Sequence, residues 1–531
     1  MKLEERCRKW IINFQYLMLF LTILTLPVFS LTKSLQIINL GGKLSWYFAL
    51  LGVIALAIEW LLFRFKIDKT IKIFFIIFLG WQVLSLVIGL YQYPYYQESN
   101  WHQSTRLSYI IDFIENHDID FMTINQIEAI WLAMRVIKNT LLEFIFTFGI
   151  TMWTVHLFRD SFNRGFVIIR KFVLALALVL GIYAIPEILF FKFKMTIGYD
   201  ILSVTNGFLY DVGSHLGWYP PLIWGNEQIR SYCTEPSIFG FLAATIIPMF
   251  WSCFKINFKI AVFYIYYIML IFMTKARTAN AVAIIDFFFL LPGIIYGKTR
   301  KLAITLVILS GLGFMCNIGM NFVPALISDI SSSVSNSENA YSYYEDNISS
   351  SPDFHSENVY SYYENNVKSI VDKESRSNGS RLINVIGHIN VIKSHWAIGV
   401  GNGLEACYVR DNLPEGALEN QEIRSITNEL NENGPLGTVS YGNVNHYIYL
   451  LTNGGLVGLV IYLVPFMYVL WMIFKLKLWK NNRYIFLTII LIGNLASGMA
   501  GEPVMLLYII LGLSYIGIQE NLNLVNKEME V

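Results

Sequence analysis

The chain has 531 residues, of which 55% are hydrophobic and only 15% charged, with a mean hydropathy of +0.50. These values exclude an ordinary soluble enzyme and identify an integral membrane protein. The net charge of +1 gives no reason to expect nucleic acid as a partner, and in a membrane protein the position of Lys and Arg matters more than their sum.

Apolar runs of about 18 to 25 residues, each long enough to cross roughly 30 Å of hydrocarbon, recur along the chain. They predict twelve spans, at 12–32, 44–63, 71–91, 139–158, 172–191, 237–254, 258–274, 278–296, 302–321, 446–474, 484–498 and 503–518. The first run follows a charged start but lacks a small-residue cleavage site, so it reads as a span and not a signal peptide. In lipid only closed helices satisfy their own backbone at this length, and the expected fold is all-α. Short basic loops alternate with the spans, at Arg6, Arg8 and Lys9; Arg64, Lys66, Lys69 and Lys72; Arg159, Arg164, Arg170 and Lys171; Lys298, Arg300 and Lys301; and Lys475, Lys477, Lys480 and Arg483. All then fall on one side, which the positive-inside rule makes cytoplasmic together with both termini.

The division that follows is a membrane bundle at 1–321, a large external loop at 322–445 and C-terminal membrane helices at 446–531, with further external segments at 92–138 and 192–236. The segment 92–138 holds Trp101 and the triplet Asp118-Ile119-Asp120; such a triplet can hold a divalent cation but is common by chance. In the large loop, Ser337-Glu338-Asn339-Ala340-Tyr341-Ser342-Tyr343-Tyr344-Glu345 recurs as Ser356-Glu357-Asn358-Val359-Tyr360-Ser361-Tyr362-Tyr363-Glu364, too few copies for a solenoid. The loop continues with an amphipathic helix from Arg381 to Trp396, with Arg381, Asn384, His388 and His395 expected as an outward stripe of donors. Gly399-Val400-Gly401-Asn402-Gly403 reads as a flexible turn, and no strand precedes it to make a dinucleotide fingerprint. Of the five cysteines, Cys233 and Cys407 share the external side, but an odd count without regular spacing points to isolated thiols.

Chemistry at an outer membrane surface has no nucleotide sugar to draw on, so a donor must carry its own leaving group, as a lipid diphosphate does. Such a site needs cations for the diphosphate and a base for an attacking hydroxyl. Arg277 lies in a tight turn between spans, where a guanidinium suits phosphate oxygens or lipid headgroups. Arg381 opens the amphipathic helix. Glu235-Pro236 and Glu502-Pro503 each precede a span, with Arg230 upstream of the first; Pro at a helix start and a carboxylate at its positive end also have a purely structural explanation. Asp286 falls within a span and requires a partner or a water-filled cavity. His446 can act as a base near neutral pH, Asn453 lies two turns further on nearly the same face, and Gly454 with Gly458 forms a small-residue packing pair. The run 446–474 is too long for one upright span, so its first turns are expected to protrude or tilt.

Three blocks together resemble a known family: Arg230 with Thr234-Glu235-Pro236-Ser237; Lys275-Ala276-Arg277-Thr278; and Arg381 through Gly403 followed by Asn445-His446-Tyr447 and Gly454-Gly455-Leu456-Val457-Gly458. Their order and the large loop before the histidine are similar to the bacterial O-antigen polymerase and O-antigen ligase superfamily of membrane glycosyltransferases. The resemblance implies transfer of a glycan from a polyprenyl diphosphate carrier to a sugar hydroxyl, with no metal and no cofactor. It makes His446 the base, Arg277 and Arg381 the diphosphate ligands, and Arg230, Glu235, Asn453 and Glu502 substrate-orienting groups. The implied partners are lipid-linked oligosaccharides, membrane lipid and a chain-length regulator, and the implied place is the bacterial inner membrane with the site on the external face. The family's usual Ser before the first arginine is Ala276 here. Arg230, Glu235 and the long loop are closer to the polymerase branch; a ligase acting on lipid A-core or protein, and a transporter of the same glycans, are the alternatives.

Overall fold

The computed structural model describes residues 2–36, 40–98, 108–109, 112–113, 116–117, 123–210, 220–225, 227–253, 257–295, 300–331, 376–436, 440–442 and 444–530. Trp101, Asp118, Asp120 and both copies of the tyrosine repeat lie outside the described residues.

Backbone groups in apolar surroundings must bond to one another, and each expected apolar run is helical. The chain passes through α1 (Lys2–Leu24), α2 (Leu44–Phe63) and α3 (Lys69–Gln92), then α4 (Ile124–Phe144), which joins α5 (Ile150–Phe158) through a π-helical turn at Ile145–Gly149. There follow α6 (Phe162–Phe193), α7 (Thr196–Leu209), α8 (Pro236–Trp251), α9 (Phe258–Met273), α10 (Arg277–Ile295) and α11 (Arg300–Ser331). Among the described residues the only strand-like pairing is an isolated bridge between Leu31 and Tyr210. Several starts are capped as their residues dictate: Asp68 accepts from the N–H groups of Thr70 and Ile71 before α3, and Thr123 and Gln126 form a reciprocal capping box before α4.

Among the described residues six segments are long and apolar enough to cross a membrane: Leu44–Phe63, Lys69–Gln92, Asn125–Phe158, Phe162–Phe193, Arg300–Phe322 and His446–Lys475. The 16-residue helices α8 and α9 are apolar but shorter, rising only about 24 Å. The architecture is thus an all-helical membrane protein. Two boundaries differ from expectation. The first helix ends at Leu24, before Pro27, and not near residue 32. Glu502-Pro503 does not begin the last helix, which starts at Leu506.

Beyond α11, helices α12 (Arg376–His395), α13 (Glu405–Asp411) and α14 (Gln421–Asn433) build a lobe with its own apolar cluster. Ile383, Val391, Val400, Cys407, Ile423 and Leu430 pack there with Tyr93, Tyr95 and Leu132 from the bundle side. Cys233 lies in the bundle core, Cys407 in the lobe core, and both thiols are free. The expected outward donor stripe on α12 is reversed in its middle. Asn384 and His388 are buried and bond inward, His388 Nδ1 to Thr452 Oγ1 at 2.9 Å and Asn384 Nδ2 to Gly442 O at 3.4 Å, whereas Leu382, Ile389 and Trp396 are exposed. The helix thus buries Asn384 and His388 beside Ile383 and Val391 and leaves Leu382 and Ile389 exposed, an orientation that helical periodicity alone cannot assign.

The C-terminal part is α15 (His446–Lys475), α16 (Asn482–Ser497) and α17 (Leu506–Glu530). Helix α15 is broken at Gly455, whose φ of 63° and ψ of −170° are not helical. Along a straight helix His446 and Tyr462 would be about 24 Å apart, yet their ring centroids are 5.1 Å apart. The first turns therefore neither protrude nor tilt; they fold back beside the second arm, from Leu456 to Lys475, which alone rises about 30 Å.

A broken helix leaves orphan carbonyls on one arm and orphan N–H groups on the other. The 396–403 segment satisfies both. Val400 and Gly401 N–H donate to Thr452 and Asn453 O at 2.9 and 3.0 Å, and Leu456 and Val457 N–H donate to Trp396 and Ala397 O at 2.8 and 3.4 Å. Trp81 Nε1 donates to Gly454 O at 3.2 Å, and the same indole fills the groove beside Gly454 and Gly458. The glycine-rich turn is therefore pinned and not loose. A Cβ on Gly455 would lie 2.3 Å from the Ala397 backbone, in addition to the left-handed φ. Gly455→Ala should destabilise the protein by at least about 2 kcal/mol, seen as a lower thermal midpoint in detergent. Gly80→Ala, with open space around the new methyl, should leave the midpoint unchanged or slightly raised.

Candidate functional site

His446 opens the first arm of α15 because Asn445 caps it, its side chain accepting from the N–H groups of Tyr447 and Ile448 at 3.1 and 3.2 Å. The His446 N–H donates to Gly498 O at 2.9 Å, and the Tyr447 hydroxyl bonds to Leu495 O, so the arm is seated on the end of α16. The imidazole is 3% exposed and faces Tyr462, whose hydroxyl pairs with that of Tyr508 at 2.9 Å.

Glu502, in the loop after α16, is in electrostatic reach of His446 and forms an ion pair with Lys43 at 2.6 Å. Burial alone would raise the Glu502 carboxyl, but the Lys43 ammonium, with help from His446, holds it below the usual carboxylate range. Glu143 lies within reach of both Glu502 and Lys43, and Tyr449 within reach of Glu143, Glu405 and Glu502. Glu143 and Tyr449 are half-buried, and the Glu502 side chain is 47% exposed. Between the arms of α15 lies a narrow cleft lined by Gln82, Glu143, Asn402, Tyr449, Asn453 and Tyr462 among others.

A second group gathers at the start of α8. Pro236 takes the first helical position, while the Glu235 carboxylate does not cap the helix and accepts from Ser237 Oγ at 3.0 Å. Burial pushes the Glu235 carboxyl up, against the Ser237 hydroxyl and the charges of Arg381 and Arg230. Arg381 is exposed and lies in the second turn of α12, not at its start. Arg277 is the first residue of α10, and two residues on, Ala279 abuts Gly240 of α8, where an added Cβ would come within 2.5 Å of the Ala279 nitrogen. That contact holds Arg277 near the turn of α8 that follows Glu235. The two groups meet at one end of the bundle, since Gly501 lies against Phe241 of α8.

Arg230 and Asn453 have other commitments. Arg230 is 0% exposed, its guanidinium donating to the carbonyls of Thr234, Pro221 and Leu222 at 3.1, 2.7 and 3.1 Å. Glu187 of α6 accepts from the N–H groups of Arg230 and Ser231 at 3.1 and 2.8 Å, which fixes the turn before Glu235. Asn453 uses both ends of its amide, accepting from Gly403 N–H and donating to Tyr449 O, each at 3.0 Å. Asp286 is buried, and its Oδ2 has no hydrogen-bond partner among the described residues.

Sequence reading passed over Lys43, Glu143, Glu187 and Glu405, and also Glu59. Glu59 is buried in α2 and accepts from Arg8, Gln15 and His156 at 3.3, 2.8 and 3.0 Å, far along the helices from His446. A carboxylate within an apolar run was a signal for Glu59, Glu143 and Glu187; Lys43 and Glu405 carry no such mark. Among the described residues no cluster of His, Cys, Asp and Glu has the arrangement of a metal site. No protein-family model matches the chain, and no curated protein sequence matches it.

The arginines should separate by role. Arg230→Ala strips three carbonyls and removes the cation beside buried Glu187, which should cost about 3–5 kcal/mol and deplete monodisperse protein on size exclusion. Arg381→Ala, at an exposed position, should leave the elution profile and yield unchanged.

Proposed function

We propose that this protein is a membrane glycosyltransferase that polymerises lipid-linked oligosaccharide repeat units. It transfers a glycan from a polyprenyl diphosphate carrier to a sugar hydroxyl at the external face of a bacterial inner membrane. In this reading the chain crosses the membrane twelve times, both termini are cytoplasmic, and 322–445 is the external loop. The observation that carries it is the convergence, at one end of the bundle, of a buried imidazole beside a carboxylate with arginines grouped around Glu235.

The chemistry follows from that arrangement. His446 takes the proton of the acceptor hydroxyl, and the neighbouring Glu502 carboxylate stabilises the resulting imidazolium. The acceptor oxygen bonds to the anomeric carbon as the bond from that carbon to the diphosphate oxygen breaks. Arg277 and Arg381 receive the growing negative charge, for which guanidinium groups suit the phosphate oxygens. Glu235, restrained by Ser237, tunes Arg381, while Arg230 and Asn453 act on the site through the backbone they hold.

Replacing His446 by Ala should lower transfer by about 10²–10⁴-fold while protein abundance is unchanged, measured as loss of polymer on a carbohydrate-stained gel. Survival of polymer at wild-type length and amount would remove His446 from the base role. Loss of the gene should leave single repeats attached to their acceptor; long chains retained on the carrier lipid would instead identify a ligase. A chelator should not inhibit the purified protein, and strong inhibition would bring Asp118 and Asp120 back as metal ligands. A transporter of the same glycans is the reading that the broken helix would favour, because half-helix ends often hold substrate in such proteins. Here the backbone groups at the break named above are bonded to the 396–403 segment and to Trp81.

A further inference from the structure

We infer that Lys43 is a third cation for the departing diphosphate, with Glu502 as its counter-ion until substrate arrives. The inference rests on the transfer reaction proposed above and assigns a role to a residue outside the resembling blocks.

Lys43 is held firmly although it lies in a connection. Leu31 N–H donates to Gly42 O at 2.9 Å and Leu44 N–H to Val28 O at 3.1 Å, so the chain before α2 is folded back on the end of α1. A Cβ on Gly42 would meet Phe29 O at 2.7 Å, which leaves room only for glycine beside Lys43. The ammonium lies over the rings of Trp46 and Phe29, 4.7 and 5.6 Å from their centroids, and this aromatic seat keeps it in place whichever anion it faces.

Its position bridges the two halves of the site. On one side Lys43 Nζ meets Glu502, which faces His446. On the other, Phe29 N–H donates to Thr234 Oγ1 at 2.8 Å, and Thr234 N–H donates to Pro27 O at 3.1 Å. Thr234 directly precedes Glu235, which faces Arg381. The Lys43–Glu502 pair is partly open, 26% and 47% exposed, and an open pair of this kind is weak enough to be exchanged. A diphosphate offers the same ammonium more negative charge and more acceptor oxygens than one carboxylate.

When the bond from the anomeric carbon to the diphosphate oxygen breaks, the electron pair stays on that oxygen. Lys43 remains protonated and donates to the leaving group, while the proton from the acceptor hydroxyl resides on His446. Glu502, released from Lys43, is then free to pair with that imidazolium. Substrate binding thereby supplies the counter-ion that the protonated base requires.

The test is binding of farnesyl diphosphate to the full-length protein in nanodiscs by isothermal titration, with farnesyl monophosphate as the control for the lipid tail. Thermal melting of each variant checks its fold. Lys43→Gln should weaken farnesyl diphosphate binding by about tenfold or more, Lys43→Arg should retain most of it, and farnesyl monophosphate should be affected less. Glu502→Gln removes the competing carboxylate and should bind at least as tightly as wild type. Weaker binding by Glu502→Gln, or wild-type binding by folded Lys43→Gln, would overturn the assignment; should Lys43→Gln not fold, Glu502→Gln and Lys43→Arg decide it. If wild type binds no farnesyl diphosphate, the transfer reading itself loses its donor site. If Arg381→Ala weakens binding and Lys43→Gln does not, only the role of Lys43 falls.

Discussion

The interruption of α15 at Gly455 is the constraint on which the candidate site depends. A helix can be cut within a membrane protein only if the freed backbone groups find partners, and here the partners come from the chain that links the lobe to the bundle. The carbonyls of Thr452 and Asn453 and the N–H groups of Leu456 and Val457 all bond to the 396–403 segment. Because the break is sealed, the first arm can run back and bury His446 against Tyr462. Without it, the imidazole would be about 24 Å from that tyrosine.

Most of the polar groups named above are of two kinds. Glu59, Glu187, Arg230, His388 and Asn453 are buried, and each is tied to named side chains or backbone; they hold the bundle and its turns. Lys43, Glu502 and Arg381 keep accessible surface. Buried polar groups with satisfied partners resist exchange because losing a partner leaves an uncompensated charge or dipole. Groups with accessible surface can trade one anion for another. Arg230 and Glu187 thus fix the turn before Glu235, and in the proposed reaction the open set meets the ligand.

The lobe follows the same logic. Helix α12 places His388 on Thr452 of α15 and Asn384 on Gly442, with Leu382 and Ile389 outward and Trp396 exposed just past its end. An inward polar stripe is favoured where the facing surface offers hydroxyl and carbonyl partners, as Thr452 and Gly442 do. The outward apolar stripe suits a helix lying along lipid. The lobe is therefore tied to the bundle through the very turn that carries the break.

The sequence by itself determined an all-helical membrane protein and where its long apolar helices lie, but not the helices Thr196–Leu209, Glu405–Asp411 and Gln421–Asn433. Apolar runs of membrane length can only be helical, and their composition is local information. It also marked His446, Arg277, Arg381, Glu235 and Glu502 as residues whose charge needed an explanation. Only the tertiary structure decided what each charge faces. Arg230 and Arg381 look alike in sequence, yet one is enclosed by carbonyls and the other is exposed, because their surroundings come from segments far apart in the chain. The same holds for Lys43 and Glu502, which are 459 residues apart and 2.6 Å from each other. Helical periodicity could not foresee the reversal at Gly455 either: a glycine in an apolar run is compatible with a continuous helix, and its left-handed φ is stabilised here by partners from the 396–403 segment.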